Sequence, residues 1–249
     1  MEHITSRKNR IIVHLKELSQ DGAYRRKNGE FVCDGEKMLK EALSFGAEVT
    51  CILWGNDAAF KVSESIPQFF CPPGLMQHVS PLKNSAGPVF SVRMPPAKAD
   101  DEKVSTAIVL ENVQDPGNVG TVIRTADAMG TDIVILIGDC ADLYNPKTVR
   151  ATMGGIFRQK VFETDIDGLI DYVNRNDLKL YGAALSENAE DIRNIDLKGT
   201  AVAIGSEGRG LTEQLLMGCK AQLIIPMCPD CESLNAAVAA SIVMWEMHR

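Results

Sequence analysis

Three short stretches in the second half of the chain gather residue types that could handle a nucleoside. The first starts at Glu111 and passes through Asn112, Gln114, Asp115, Pro116 and Gly117 to Asn118, then into a helical pattern that reaches Gly130. Pro-Gly marks a turn, Asn118 fits the cap that opens the helix, and Gly130 fits its stop. Val119, Val122, Ile123 and Ala126 form a buried stripe at i, i+3, i+4 and i+7. Arg124 therefore leaves the helix at the edge of that stripe, one turn beyond Gly120, where a missing side chain leaves room for a neighbour. A pair with Asp127 at i+3 accounts for this arginine as well as a functional role does.

The second stretch, Gly205-Ser206-Glu207-Gly208-Arg209-Gly210, stands between a strand pattern and a helix pattern. Three glycines let backbone amides approach a ligand closely, which suits a nucleoside. The order G-x-x-G-x-G is not the dinucleotide fingerprint, and Glu207 would repel a pyrophosphate placed there. The third stretch holds Ile225, Pro226, Met227, Cys228, Pro229, Cys231, Ser233, Leu234 and Asn235, ahead of the apolar run 236–245. Ser233 fits the cap of that last helix. The helix is apolar almost all round, which predicts complete burial, partly against a second copy of the chain.

The elements that must hold these stretches read as an α/β pattern. Apolar runs at 107–110, 133–137, 178–185, 201–204 and 223–225 alternate with helical periodicity, which implies a parallel sheet covered on both faces. Ligands of such sheets gather at the carboxyl ends of the strands, where all three stretches lie. Paired prolines and a charged cluster at 94–103 read as a linker. They divide the chain into a small α/β domain at 1–97 and a second domain at 104–249. In the first, helices are expected at 9–18 and 36–45, and extended pieces at 30–33, 49–54, 77–80 and 89–92.

The net charge of −7 hides an asymmetry. Residues 1–98 carry 13 Lys+Arg against 10 Asp+Glu, a balance of +3, while the remainder carries 13 against 23, a balance of −10. Arg7, Lys8, Arg25, Arg26 and Lys27 are thus the expected contacts to a polyanion such as RNA. The seven cysteines are odd in number and scattered, as reduced thiols would be. Cys228 and Cys231 have suggestive spacing, but the histidines (His3, His14, His78, His248) are remote in sequence, so no metal site is expected. With no apolar run near the ~20 residues that span a bilayer, and no apolar stretch at the start, a cytoplasmic protein without membrane attachment is expected.

Together the three stretches closely resemble the motifs of the SpoU (TrmH-like) family of RNA 2'-O-ribose methyltransferases, in the SPOUT superfamily. The resemblance lies in N-x-G-x-x-x-R-T-A-D-A-x-G at 118–130, I-G-S-E-G-x-G at 204–210 and I-P-M…S-L-N-x-x-V-A-A at 225–240. Pro229 departs from it, standing where relatives often have glycine. The front domain is similar to the family's ribosomal-protein-like substrate-binding extension, in 4–9 and 31–35.

The resemblance implies a deep trefoil knot in 104–249 and a homodimer through that domain, with each active site drawing on both copies. It implies S-adenosylmethionine as methyl donor, touched by Gly205, Ile225, Met227, Ser233 and Leu234, and no metal. Arg124 is implied to activate the ribose hydroxyl, with Asn118, Glu207, Ser233 and Asn235 around the reaction centre. The extra front domain favours ribosomal RNA, 23S rRNA above all, over transfer RNA by analogy. A nucleotide-dependent oxidoreductase would carry a fingerprint after its first strand, which is absent. A ribosome-assembly protein that binds RNA without catalysis would not need Arg124, Glu207, Ser233 and Asn235 together.

Overall fold

A computed structural model describes every residue except 1, 56–57, 59, 83–84, 97–102, 187, 229 and 231–232. Most of the expected linker, and Pro229 and Cys231, therefore lie outside the described residues. The chain divides into two compact units, Met1–Pro96 with Asp142–Phe157, and Ala97–Ala141 with Arg158–Arg249.

The first unit runs β1 (Glu2–His3), α1 (Arg10–Gln20), α2 (Gly22–Asn28), β2 (Glu30–Asp34), α3 (Glu36–Ser44), β3 (Val49–Trp54), β4 (Gln68–Phe70), α4 (Pro73–Val79) and β5 (Val89–Arg93). Its sheet has the order β1-β4-β3-β5-β2, with β5 antiparallel to both neighbours. Asn9 caps α1, its side chain accepting from the Ile11 amide at 2.8 Å, and Ile12, Leu15 and Leu18 form the buried stripe. Residues 77–80, expected to be extended, instead end α4. Pro73 at the first helical position suits a helix start, and Leu75, Met76 and Val79 turn inward.

In the second unit β6 (Thr106–Glu111), α5 (Pro116–Met129) and β7 (Ile133–Ile137) come first. The chain then forms α6 (Pro146–Ala151), which packs in the first unit, although a division at 104 assigns it to the second. The reason is apolar and ionic: Tyr144, Val149, Ile156 and Phe157 join the cluster around Phe31, Leu39 and Trp54, and Asp142 pairs with Arg25.

The second unit continues with β8 (Lys160–Thr164), α7 (Ile166–Arg175), β9 (Lys179–Ala183), β10 (Glu190–Asp191), β11 (Thr200–Ile204), α8 (Glu213–Gly218), β12 (Ala221–Ile224) and α9 (Ala236–Met247). The sheet is parallel throughout, in the order β10-β12-β9-β11-β6-β7-β8. Strand alternation sends Ala107 and Val109 of β6 into one core with Leu169 and Leu215, while α5 and α9 pack together over the opposite face. Strands β6, β7 and β8 run outward on one side of the β6–β11 pair, and β9 and β12 lie on the other. That reversal of strand order is where parallel α/β sheets hold ligands.

Candidate active site

The loops that follow β6, β11 and β12 all open at the carboxyl edge of the second unit's sheet. Each is shaped by short-range bonding. Asp115, not Asn118, caps α5: its Oδ1 accepts from the Asn118 amide at 2.9 Å, and Pro116 takes the first helical position. Asn118 is thus inside the first turn, with its side chain free to act elsewhere. At the far loop Asn235, not Ser233, caps α9, its Oδ1 accepting from the amides of Ala237 (3.0 Å) and Val238 (3.3 Å).

Once Asn235 Oδ1 serves the helix, its Nδ2 must point the other way. It donates to Glu207 Oε1 at 2.6 Å and to Asn118 Oδ1 at 3.1 Å, and Asn118 Nδ2 donates to the same Glu207 oxygen at 2.8 Å. The Ala236 amide adds a longer bond at 3.4 Å. Residues 118, 207 and 235 therefore close a triangle that ties the three loops together. Replacing Asn235 by alanine removes the cap and two of these bonds. A loss of about 1–2 kcal/mol is expected, read as a lowered thermal midpoint.

A cavity of about 470 Å³ lies beside the triangle at the ends of β9, β11 and β12. Gly205, Ile225, Met227, Ser233 and Leu234, the residues expected at the donor, all line it, and Glu207 lines it with them. Its walls combine apolar Ile204, Leu211 and Leu223 with the polar 205–210 loop, which suits an adenosine that needs an apolar slot and a few hydrogen bonds. Glu111, a carboxylate at the end of an otherwise uncharged strand, went unnoticed as a positioning group. It is buried, and it accepts from the amide (2.8 Å) and hydroxyl (2.6 Å) of Thr212, fixing where the 205–210 loop re-enters a helix.

Arg124 is exposed on α5, and no hydrogen bond or ion pair holds it among the described residues. Its expected i+3 partner is engaged elsewhere: Asp127 takes a forked pair from Arg158, at 2.8 Å from Nη2 and 3.0 Å from Nε. Arg124 is not part of the cavity wall or of the triangle.

The basic residues of the first unit separate into two kinds. Arg7, Lys8, Arg26 and Lys27 are exposed. Arg25 is 3% exposed, donates to the Leu18 carbonyl at 2.8 Å and pairs with Asp142. The assignment of Arg25 to RNA contact is therefore corrected: its guanidinium holds 142–157 to the first unit and cannot reach a phosphate. His78, half-buried on α4, lies beside this group. Desolvation first, then the positive charges of Arg7 and Lys16, hold it below the ordinary imidazole value, so these three side chains share one basic patch. Sequence reading missed His78 because α1 and α4 bring it beside Arg7 from 71 residues away. The six described cysteines are free thiols.

A parallel α/β sheet with a nucleoside-sized cavity at the carboxyl ends of β9, β11 and β12, rimmed by amides and one carboxylate, suits a group-transfer enzyme that acts on or with a nucleoside. Residues 105–245 match the model of the SpoU rRNA Methylase family. The Bacillus subtilis 23S rRNA (guanosine(2553)-2'-O)-methyltransferase RlmP is 31% identical over 99% of each chain. The AdoMet-bound rRNA methyltransferase of Sinorhizobium meliloti superposes with a TM-score of 0.88 at 27% identity, covering 99% of this chain and 97% of that one. The SpoU methyltransferase AviRb of Streptomyces viridochromogenes, in complex with AdoMet, gives 0.88 at 26% identity, covering 97% and 98%. The chain belongs to the SpoU rRNA methylase family and is a methyltransferase whose co-substrate is S-adenosylmethionine.

Proposed function

We propose that the protein methylates a ribose 2'-hydroxyl of ribosomal RNA, within 23S rRNA, in the cytoplasm. The observation that carries this reading is the triangle of Asn118, Glu207 and Asn235 on the rim of the donor cavity. The full-length match to a 23S rRNA 2'-O-methyltransferase, which includes the first unit, supports ribosomal over transfer RNA. Mapping ribose methylation across total RNA with and without the gene tests it. One ribosomal site should disappear, and loss of a transfer RNA site alone would refute the substrate.

S-adenosylmethionine supplies a methyl group on a sulfonium, which an attacking oxygen displaces. The residues of the chain have to place that oxygen and manage its proton. Glu207 is an unsuitable base, because one of its oxygens already receives three donors. Its role is to fix the amides of Asn118 and Asn235, which offer neutral hydrogen bonds to the ribose. Arg124 manages the charge on the hydroxyl oxygen, and Ser233, Leu234, Ile225, Met227 and Gly205 hold the donor.

Within the same reading the second unit carries the family's deep trefoil knot, and the molecule is a homodimer joined through α9. One face of α9 is buried through Ala236, Ala240, Val243, Met244 and Met247. The other leaves Val238 47% and Trp245 62% exposed beside a cavity of about 390 Å³ that Thr121 and Ile242 also line. A second copy covers that apolar face. Sedimentation equilibrium should give twice the 27.1 kDa chain mass.

Arg7, Lys8, Lys16, Arg26, Lys27 and His78 form the RNA-contacting surface of the first unit. In the free protein desolvation, then the neighbouring cations, favour neutral His78. A phosphate among them favours the imidazolium, so the complex takes up a proton that the free protein does not hold. RNA affinity should therefore strengthen as pH falls toward the lowered imidazole value of free His78, and filter binding with His78→Gln should lose that part of the slope.

A further inference from the structure

A second cavity, of about 410 Å³, adjoins the donor cavity over the β6–β11 reversal and is unused by the chemistry above. The loops after β6, β7 and β11 enclose it. It shares Ser206, Glu207 and Arg209 with the donor cavity and includes Asn118 of the triangle. A ribose held at Asn118 and Glu207 thus has one polar compartment beside it. The apolar compartment on the other side of Asn118 is the face assigned to the second copy.

The charge of this cavity selects its occupant. Asp115, Asp139 and Glu207 face Arg209 as the only cation in its lining. Such walls repel an RNA phosphate and favour a neutral group rich in N–H donors. One oxygen of each neighbouring carboxylate is already engaged: Asp115 Oδ1 caps α5, and Glu207 Oε1 holds the triangle. Asp139 is held in place without being consumed. Its amide donates to Asn112 Oδ1 at 2.7 Å, with Asn112 in the left-handed region at φ 55°, and Gln114 Nε2 donates to its Oδ2 at 2.8 Å. Asp139 Oδ1 and Gln114 Oε1 meet no donor among the described residues.

We infer that this cavity receives the base of the nucleotide being methylated and that the base is guanine, read by Asp139. Guanine alone among the four RNA bases presents two adjacent donors, N1–H and the N2 amino group, on its Watson–Crick edge, and one carboxylate accepts from both. Cytosine and adenine set a ring-nitrogen lone pair against that carboxylate, and uracil flanks its single N–H with carbonyls. Arg209 supplies the matching donor to O6 or N7. The inference rests on the proposed ribose methylation, whose Bacillus subtilis relative is named for guanosine, and adds to it the cavity and the residue that read the base.

The test uses the full-length protein and short hairpins spanning the ribosomal position that the methylation map identifies. Each hairpin carries guanosine, inosine, adenosine or uridine there. The mapped base should be guanosine. The wild type should prefer guanosine over inosine, which lacks the N2 amino group, by about tenfold to a hundredfold in kcat/KM. Asp139→Asn should bring the two near parity, and Gln114→Ala should narrow the gap, while calorimetry shows unchanged S-adenosylmethionine affinity for both. A methylated ribose on another base, or a guanosine preference that survives Asp139→Asn, overturns the inference and leaves ribose methylation standing. Absence of any ribosomal ribose methylation by the wild type overturns both.

Discussion

Replacing Arg124 by alanine is expected to lower kcat by about 10²–10³-fold while leaving S-adenosylmethionine affinity unchanged. The two effects separate because Arg124 lies outside the donor cavity, exposed on α5 with no partner among the described residues. An arginine is normally charged, so it is a reluctant base and a good stabiliser of an emerging alkoxide. Arg124→Lys distinguishes the roles in part: near-normal turnover at neutral pH would mean that neither an arginine-specific base nor a forked guanidinium is required. The exposed position also bears on the dimer. Arg124 follows Thr121 by one turn, and Thr121 borders the apolar cavity with Trp245. In the proposed dimer a second copy seated there would set each Arg124 near the other's triangle, because Asn118 and Asn235 border the same cavity. Mixing Arg124→Ala with Glu207→Ala subunits should then restore about one quarter of wild-type activity, because half of a statistical mixture is heterodimer with one intact site. If Arg124 served its own chain, the mixture would stay inactive.

Sequence reading located the three loops because strand ends are marked by a change of composition that needs no tertiary information. An apolar strand stops, and polar or glycine residues begin. It could not see which side chain capped which helix. Asn118 and Ser233 both have cap chemistry, yet Asp115 and Asn235 do the capping, since the first amide positions are set by Pro116 in one case and by the turn before Ala236 in the other. That exchange frees Asn118 to reach Glu207 across 89 residues. Arg25 illustrates the opposite failure. Beside Arg26 and Lys27 it looks like part of a basic surface, but a seven-residue helix turns one of three consecutive cations inward, where the Leu18 carbonyl and Asp142 take it. Nothing local to residues 25–27 announces that Asp142, 117 residues on, will meet it.

Gly205→Ala is expected to weaken S-adenosylmethionine binding by about a hundredfold or more, whereas Gly208→Ala, three residues further along the same loop, should bind normally. Composition alone treats these glycines alike, as open backbone for a ligand. The structure separates them by what a methyl group would meet. At Gly205 it would stand 2.1 Å from the Gly210 carbonyl carbon, 2.3 Å from its oxygen and 2.5 Å from the Leu211 amide nitrogen. These are backbone atoms that no rotamer change can withdraw. At Gly208 nothing lies within 4 Å. Gly205 is needed because the loop folds back on itself, with the Gly210 amide donating to the Ser206 carbonyl at 2.9 Å and Gly210 in the left-handed region at φ 66°. Opening that turn would shift Ser206 and Glu207, and with them both the donor cavity and the triangle. Calorimetric titration of the two variants reads the difference. Equal affinities would show that the turn can relax without disturbing the donor site.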